Sequence, residues 1–136
     1  MADVSVALEW EGTGLVFRGG PVDGFELRVD GNTKVAVSPV QLMLVSLVAC
    51  SAADVVDILS KMRVPLKGLT VRAQGDRAPS APRRYTAIRL VYEARGVAAE
   101  AEEKLHRAVQ LSHEKYCSVM HSLRPDIEIH SDVVRQ

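Results

Sequence analysis

From Val40 to Ala53 the chain is apolar apart from Gln41, Ser46 and Ser51, and it carries no charge over that stretch. Directly in front of it, Ser38-Pro39-Val40-Gln41 holds a helix start: serine as N-cap, proline at the first helical position, and glutamine three residues after the cap to close a capping box. The helix this signal predicts begins at Pro39 and runs to about Met62, where Arg63-Val64-Pro65 and Gly68 break it. Nearly every side of its first half is apolar, so that half has to be buried all round, in the core or in an interface. The apolar run meets Asp54 and Asp57 and falls short of the ~20 residues of a membrane span, which makes a buried helix the expectation. The rest of the fold must be built around it.

What flanks the helix reads mostly as strands. Val4, Val6, Leu8 and Trp10 alternate with polar or small residues, which gives a first strand with one buried face. Glu11-Gly12-Thr13-Gly14 turns the chain into Leu15-Val16-Phe17-Arg18, and Phe25, Leu27 and Val29 alternate along a third strand that stops at Asp30-Gly31-Asn32. After the helix, Leu69, Val71 and Ala73 form one long strand and Arg84 to Ala94 another, around a polar loop with prolines. Val97, Ala101, Leu105, Ala108 and Val109 make the apolar stripe of an amphipathic helix, which Ser112-His113-Glu114 interrupts before a short piece from Tyr116 to Leu123. Ile127-Glu128-Ile129 starts the last strand. The order predicts an α+β fold, an antiparallel sheet wrapped around a long buried central helix, as a single domain over residues 1–136. So small a sheet leaves part of that helix uncovered, and a homodimer is expected to complete the burial.

Composition narrows the function. With 47% apolar and 25% charged residues in 136, the chain has the balance of an ordinary globular domain. Its 17 basic residues equal its 17 acidic ones, so no net field draws it to nucleic acid. The first residues, Met1-Ala2-Asp3-Val4-Ser5-Val6, bring an early acid and no unbroken apolar stretch, unlike an export signal, so a cytoplasmic protein without membrane attachment is expected. There its two cysteines are free thiols until something oxidises them.

Read singly, neither cysteine declares a role. Cys50 sits mid-helix among small neighbours, where a packing cysteine is common. Cys117 lies near the start of the short helical piece beside Lys115, a setting that favours a thiolate but fits an inert thiol as well. His113, Cys117 and His121 recur every four residues and could hold zinc with an open position, but a polar stripe on an exposed helix gives the same letters and is the simpler reading, so no metal is assigned. No phosphate-binding glycine loop and no Ser-His-Asp arrangement stands out.

Taken together, the two cysteine segments say more. Ser38 to Leu59, with Pro39-Val40-Gln41-Leu42 and Cys50-Ser51-Ala52-Ala53-Asp54-Val55, resembles the Pro-x-Glu-Leu and Cys-x-x-x-Asp-Val helix of the OsmC/Ohr family, and Lys115-Tyr116-Cys117-Ser118-Val119 resembles its second cysteine motif. With the order of elements the resemblance runs from about Glu9 to Val134 and is closest to the short OsmC-like branch. It implies a homodimer in which the long helices pack together, and reduction of organic hydroperoxides by a cysteine pair: Cys50 attacks the peroxide, Cys117 resolves the product, and a small dithiol or other thiol reductant restores both, without a cofactor. It also implies an arginine on the thiolate. Gly24 to Gly31 resembles the strand that carries it in the OsmC branch, which points to Arg28, with Arg18 in reserve; the Ohr-branch position, in the first hairpin turn, has no arginine here. Met43, Leu47 and Val48 would line an apolar substrate pocket. One position departs from the pattern: Gln41 stands where the family has the glutamate that orients the arginine, so another carboxylate does that work or activity is weak. The alternative function is an OsmC-fold dimer that binds small molecules or senses redox state without peroxide turnover.

Overall fold

The N-terminal alternation does form a sheet. In the computed structural model, which describes residues 2–136 and so leaves Met1 of the expected domain outside the described residues, β1 (Val6–Trp10) pairs antiparallel with β2 (Val16–Pro21), and β2 with β3 (Leu27–Asp30). Gly12, at φ 90°, and Gly14, at 52°, take the left-handed backbone that the β1–β2 turn needs. Trp10 donates its indole N–H across that turn to the Gly14 carbonyl at 3.1 Å. The expected buried face of β1 is absent within one copy of the chain: Val6, Leu8 and Trp10 are 67%, 54% and 60% exposed. Phe25 falls outside β3 and is 94% exposed.

β3 ends on a buried carboxylate. Asp30 accepts the backbone N–H groups of Asn32, Lys34 and Val35 at 2.8–3.0 Å, and these bonds hold its pKa below the usual carboxylate value. The loop so fixed leads into α1 (Pro39–Lys61), whose capping box closes as the sequence predicts: Gln41 N–H donates to Ser38 Oγ at 3.1 Å, and Ser38 N–H to Gln41 Oε1 at 3.0 Å. α1 is not buried all round. Only Leu47, Ser51, Val55 and Leu59, spaced every four residues, are fully enclosed, while Met43, Val45 and Val56 are 40–49% exposed. Within one short chain a helix finds cover along one stripe only. At 23 residues α1 is also, by length and composition alone, apolar enough to cross a membrane, where the shorter run from Val40 to Ala53 suggested otherwise.

The chain divides into two compact units, one ending at Met43 and one beginning at Leu44. In the second, β4 (Gly68–Arg77) pairs antiparallel with β5 (Tyr85–Arg95), and β6 (Glu128–Arg135) lies parallel to β5 on its other edge. The sheet is thus two sheets of three strands rather than one, and the last pairing is parallel. The physical reason for the parallel strand is the long crossover: between β5 and β6 come a 3₁₀ turn (Ala99–Ala101), α2 (Glu102–Leu111), a π-helical turn (Ser112–Tyr116) and α3 (Ser118–His121), enough chain to return to the same end of the sheet. β5 buries Ile88, Leu90, Tyr92 and Ala94 on one face, and α2 buries Leu105, Ala108 and Val109, as their periodicities predict. This core holds the two cysteines.

Candidate functional site

Cys50 lies on α1 and is half-buried; Cys117 is fully buried at the break between the π-helical turn and α3. The break explains its placement. A π-helical turn carries an extra residue and shifts the side chains beyond it, and at Cys117 the backbone is extended, with φ −73° and ψ 99°. Its N–H donates to the Ser112 carbonyl at 2.8 Å, and its sulfur accepts the Met120 N–H at 3.4 Å. From there the Cys117 thiol is near enough to the side chain of Cys50 for the two to act on each other. Both cysteines are free thiols. Burial pushes the Cys117 thiol up to about 11; the Met120 N–H opposes the rise, while the contact with Cys50 and the nearby charge of Asp54 add to it. At neutral pH Cys117 is therefore a thiol and not a thiolate.

Next to the sulfurs runs a series of polar side chains that the sequence reading missed. Ser51 Oγ lies 2.6 Å from Tyr92 OH and 2.8 Å from Ser112 Oγ; Ser112 donates to Asp54 Oδ2 at 2.9 Å; and Tyr92 OH lies 2.6 Å from His113 Nε2. Burial pushes the Tyr92 hydroxyl up to about 12 and the His113 imidazole down, so both are neutral at pH 7. Asp54 opens on a cleft of about 370 Å³ lined also by Ile58, Met62, Leu111 and Tyr116. His113 opens on another, of about 430 Å³, with His106, Glu114 and Asp132. Only Asp54 had a sequence signal, its position one helical turn after Cys50.

His113, Cys117 and His121 do not converge. His113 turns its Nε2 to Tyr92, Cys117 Sγ accepts the Met120 N–H, and His121 Nε2 bonds the His113 carbonyl at 3.0 Å. Among the described residues no group of three or more His, Cys, Asp or Glu side chains is arranged to hold a metal ion.

The remaining expected residues lie upstream. On α1, Leu47 is buried, Val48 half-buried and Met43 40% exposed. Gln41 uses its side-chain oxygen on the Ser38 cap. In the N-terminal unit, Arg28 donates Nε and Nη2 to the two carboxylate oxygens of Glu11 at 2.9 and 3.1 Å. Arg18 sits farther from the same group, with Nε 3.7 Å from Oε2. Arg28 thus has a bidentate carboxylate partner, and it is Glu11 of the hairpin turn, not position 41. Sequence spacing gave no pointer to Glu11, because the pairing depends on the register that sets β2 between β1 and β3.

Comparison with known proteins gives a consistent picture. The family model described as OsmC-like protein matches residues 21–132. Protein YhfA of Escherichia coli is 38% identical over 117 residues, covering 85% of this chain and 87% of that protein. The crystal structure of a hypothetical protein from Aquifex aeolicus superposes with a TM-score of 0.81 at 32% identity, over 100% of this chain and 99% of the other. The organic hydroperoxide resistance protein OhrB of Bacillus subtilis shares the fold with a TM-score of 0.66 at 14% identity, over 97% of this chain and 98% of the other.

Proposed function

Because this chain belongs to the OsmC-like family, we propose that it is a thiol-dependent peroxidase that reduces organic hydroperoxides through Cys50 and Cys117. The observation that carries this is that a half-buried and a fully buried free cysteine, on two different elements, lie close enough for one to act on the other's titration. Two neighbouring thiols can close a disulfide if their Cα atoms come within about 7 Å, and the difference in exposure orders the roles. Cys50 is the sulfur a substrate can reach. Its thiolate attacks the distal peroxide oxygen, the O–O bond breaks, and the alkoxide leaves and takes a proton to become an alcohol, while the sulfur becomes a sulfenic acid. Cys117 then displaces the hydroxyl as water and forms the disulfide, which a small dithiol reduces.

To Arg28 falls the role its family resemblance implies, that of the cation which stabilises the Cys50 thiolate and the departing oxygen. Glu11 supports that role by fixing the plane of the guanidinium through two charge-assisted hydrogen bonds. The apolar side chains of Val48, half-buried, and Met43, exposed, on the same helix favour alkyl or lipid hydroperoxides over hydrogen peroxide. Two thiols that must be re-reduced after each turnover suit the cytoplasm.

The test is steady-state consumption of cumene hydroperoxide with dithiothreitol as reductant. Saturable turnover that disappears in Cys50→Ser supports the proposal. Consumption no faster than dithiothreitol alone overturns it.

A further inference from the structure

The fully enclosed stripe of α1 consists of Leu47, Ser51, Val55 and Leu59. Ser51 is the polar member, and it is the residue that follows Cys50 in the chain. A buried hydroxyl costs stability unless it is hydrogen-bonded, and here it is bonded to one particular place. Ser51 Oγ lies 2.8 Å from Ser112 Oγ, which is itself fully enclosed. Ser112 donates its one hydroxyl proton to Asp54 Oδ2 at 2.9 Å, so its oxygen accepts from Ser51, and Ser51 accepts from Tyr92 OH at 2.6 Å.

Ser112 also governs the position of Cys117. The two residues are the ends of the π-helical turn, which closes where the Cys117 N–H donates to the Ser112 carbonyl at 2.8 Å. Ser112 N–H in turn donates to the Ala108 and Val109 carbonyls at the end of α2. One residue thus joins three things: through its N–H the end of α2, through its carbonyl the backbone of Cys117, and through its hydroxyl Ser51 and Asp54, three residues apart on α1. Two points of attachment on α1 fix the π-helical turn both along that helix and around it. From Cys50 to Cys117 the path is one peptide bond to Ser51, one hydrogen bond to Ser112 and one more to Cys117.

We propose that Ser112 is a positioning residue for disulfide closing, whose hydroxyl, held by Ser51 and Asp54, keeps the Cys117 end of the π-helical turn against the part of α1 that carries Cys50. Without these bonds the turn must be ordered as the disulfide forms; with them it is ordered beforehand, which raises the effective concentration of one thiol at the other. The proposal rests on the peroxidase reading only in taking Cys50 and Cys117 as partners.

The test is thiol–disulfide exchange of the whole protein with glutathione at neutral pH, in which two protein thiols are oxidised to a disulfide as one glutathione disulfide is reduced to two glutathiones. Acid quenching, alkylation and mass spectrometry give the ratio of disulfide to dithiol, and hence the effective concentration of the pair. Ser112→Ala keeps the backbone bond to Cys117 but removes the attachment to α1, and should lower the effective concentration about tenfold, within the reach of lost buried hydrogen bonds. Ser51→Ala should lower it less. Asp54→Asn, which keeps an oxygen to accept the Ser112 proton, should retain most of it, and Asp54→Ala should not. Ser38→Ala, which weakens the start of α1 alone, should leave it unchanged. An effective concentration unchanged in Ser112→Ala, or lowered as much by Ser38→Ala, overturns the proposal. If Ser112→Ala does not fold, an unchanged value in both Ser51→Ala and Asp54→Ala overturns it, and so does failure of the unmodified protein to form the disulfide. Exchange with glutathione needs no peroxide, so the expected shifts in a protein that does not consume cumene hydroperoxide would support the role of Ser112 while the peroxidase reading fails.

Discussion

A guanidinium with two N–H groups on one carboxylate is fixed in both place and plane, and Glu11 does this for Arg28. Glu11→Gln is therefore expected to slow the reaction of Cys50 with hydroperoxide in the same direction as Arg28→Ala, read from the rate of sulfenic acid formation; an unchanged rate in both removes Arg28 from the chemistry. The pair also has a pH signature. The hydrogen bond from Arg28 lowers the Glu11 pKa from 4.5, so its contribution to stability is complete above that value and is lost as pH falls through the depressed one. Urea unfolding of Glu11→Gln should differ from that of the unmodified protein near neutral pH and converge with it in strong acid. Tyr92 carries another residue-scale prediction: Tyr92→Phe leaves the buried Ser51 and the half-buried His113 each short of a hydrogen-bond partner, so it should lose about 1–3 kcal/mol of stability in urea unfolding. A loss within error would mean that water replaces the hydroxyl.

At the scale of elements, α1 starts where Ser38 and Gln41 exchange hydrogen bonds, and Ser38→Ala should cost about 1 kcal/mol in thermal or urea unfolding. This start could be read from the sequence because a capping box is local: its partners are three residues apart. The periodicities of β5 and α2 were legible for the same reason, and so was the interruption at Ser112. What was not legible depends on distant partners. Ser51 meets Tyr92 across 41 residues and Ser112 across 61, and no local pattern links them. The direction of β6 was hidden because alternation marks a strand without saying which way it runs beside its neighbour. The cysteine pair was found only through the resemblance of both segments to one family; singly, each looked as much like packing as chemistry.

At the scale of the molecule, the apolar surface of one chain is larger than its fold covers. Val6, Leu8 and Trp10 on β1, Phe25, and Val45 and Val56 on α1 remain exposed, and apolar surface of this extent rarely stays bare on a monomer. Light scattering is expected to give twice the 14.8 kDa of one chain, and Val45→Asp to shift the protein toward monomer. A monomer mass at micromolar concentration counts against the dimer. The central claim, that Cys50 attacks and Cys117 resolves, is tested most directly by intact and peptide mass spectrometry of the unmodified protein, Cys50→Ser and Cys117→Ser after one equivalent of cumene hydroperoxide. The unmodified protein should lose two hydrogens and yield one peptide pair linked through Cys50 and Cys117, Cys117→Ser should gain one oxygen confined to Cys50, and Cys50→Ser should be unchanged. An oxygen on Cys117 instead, or no oxidation of either cysteine, contradicts it.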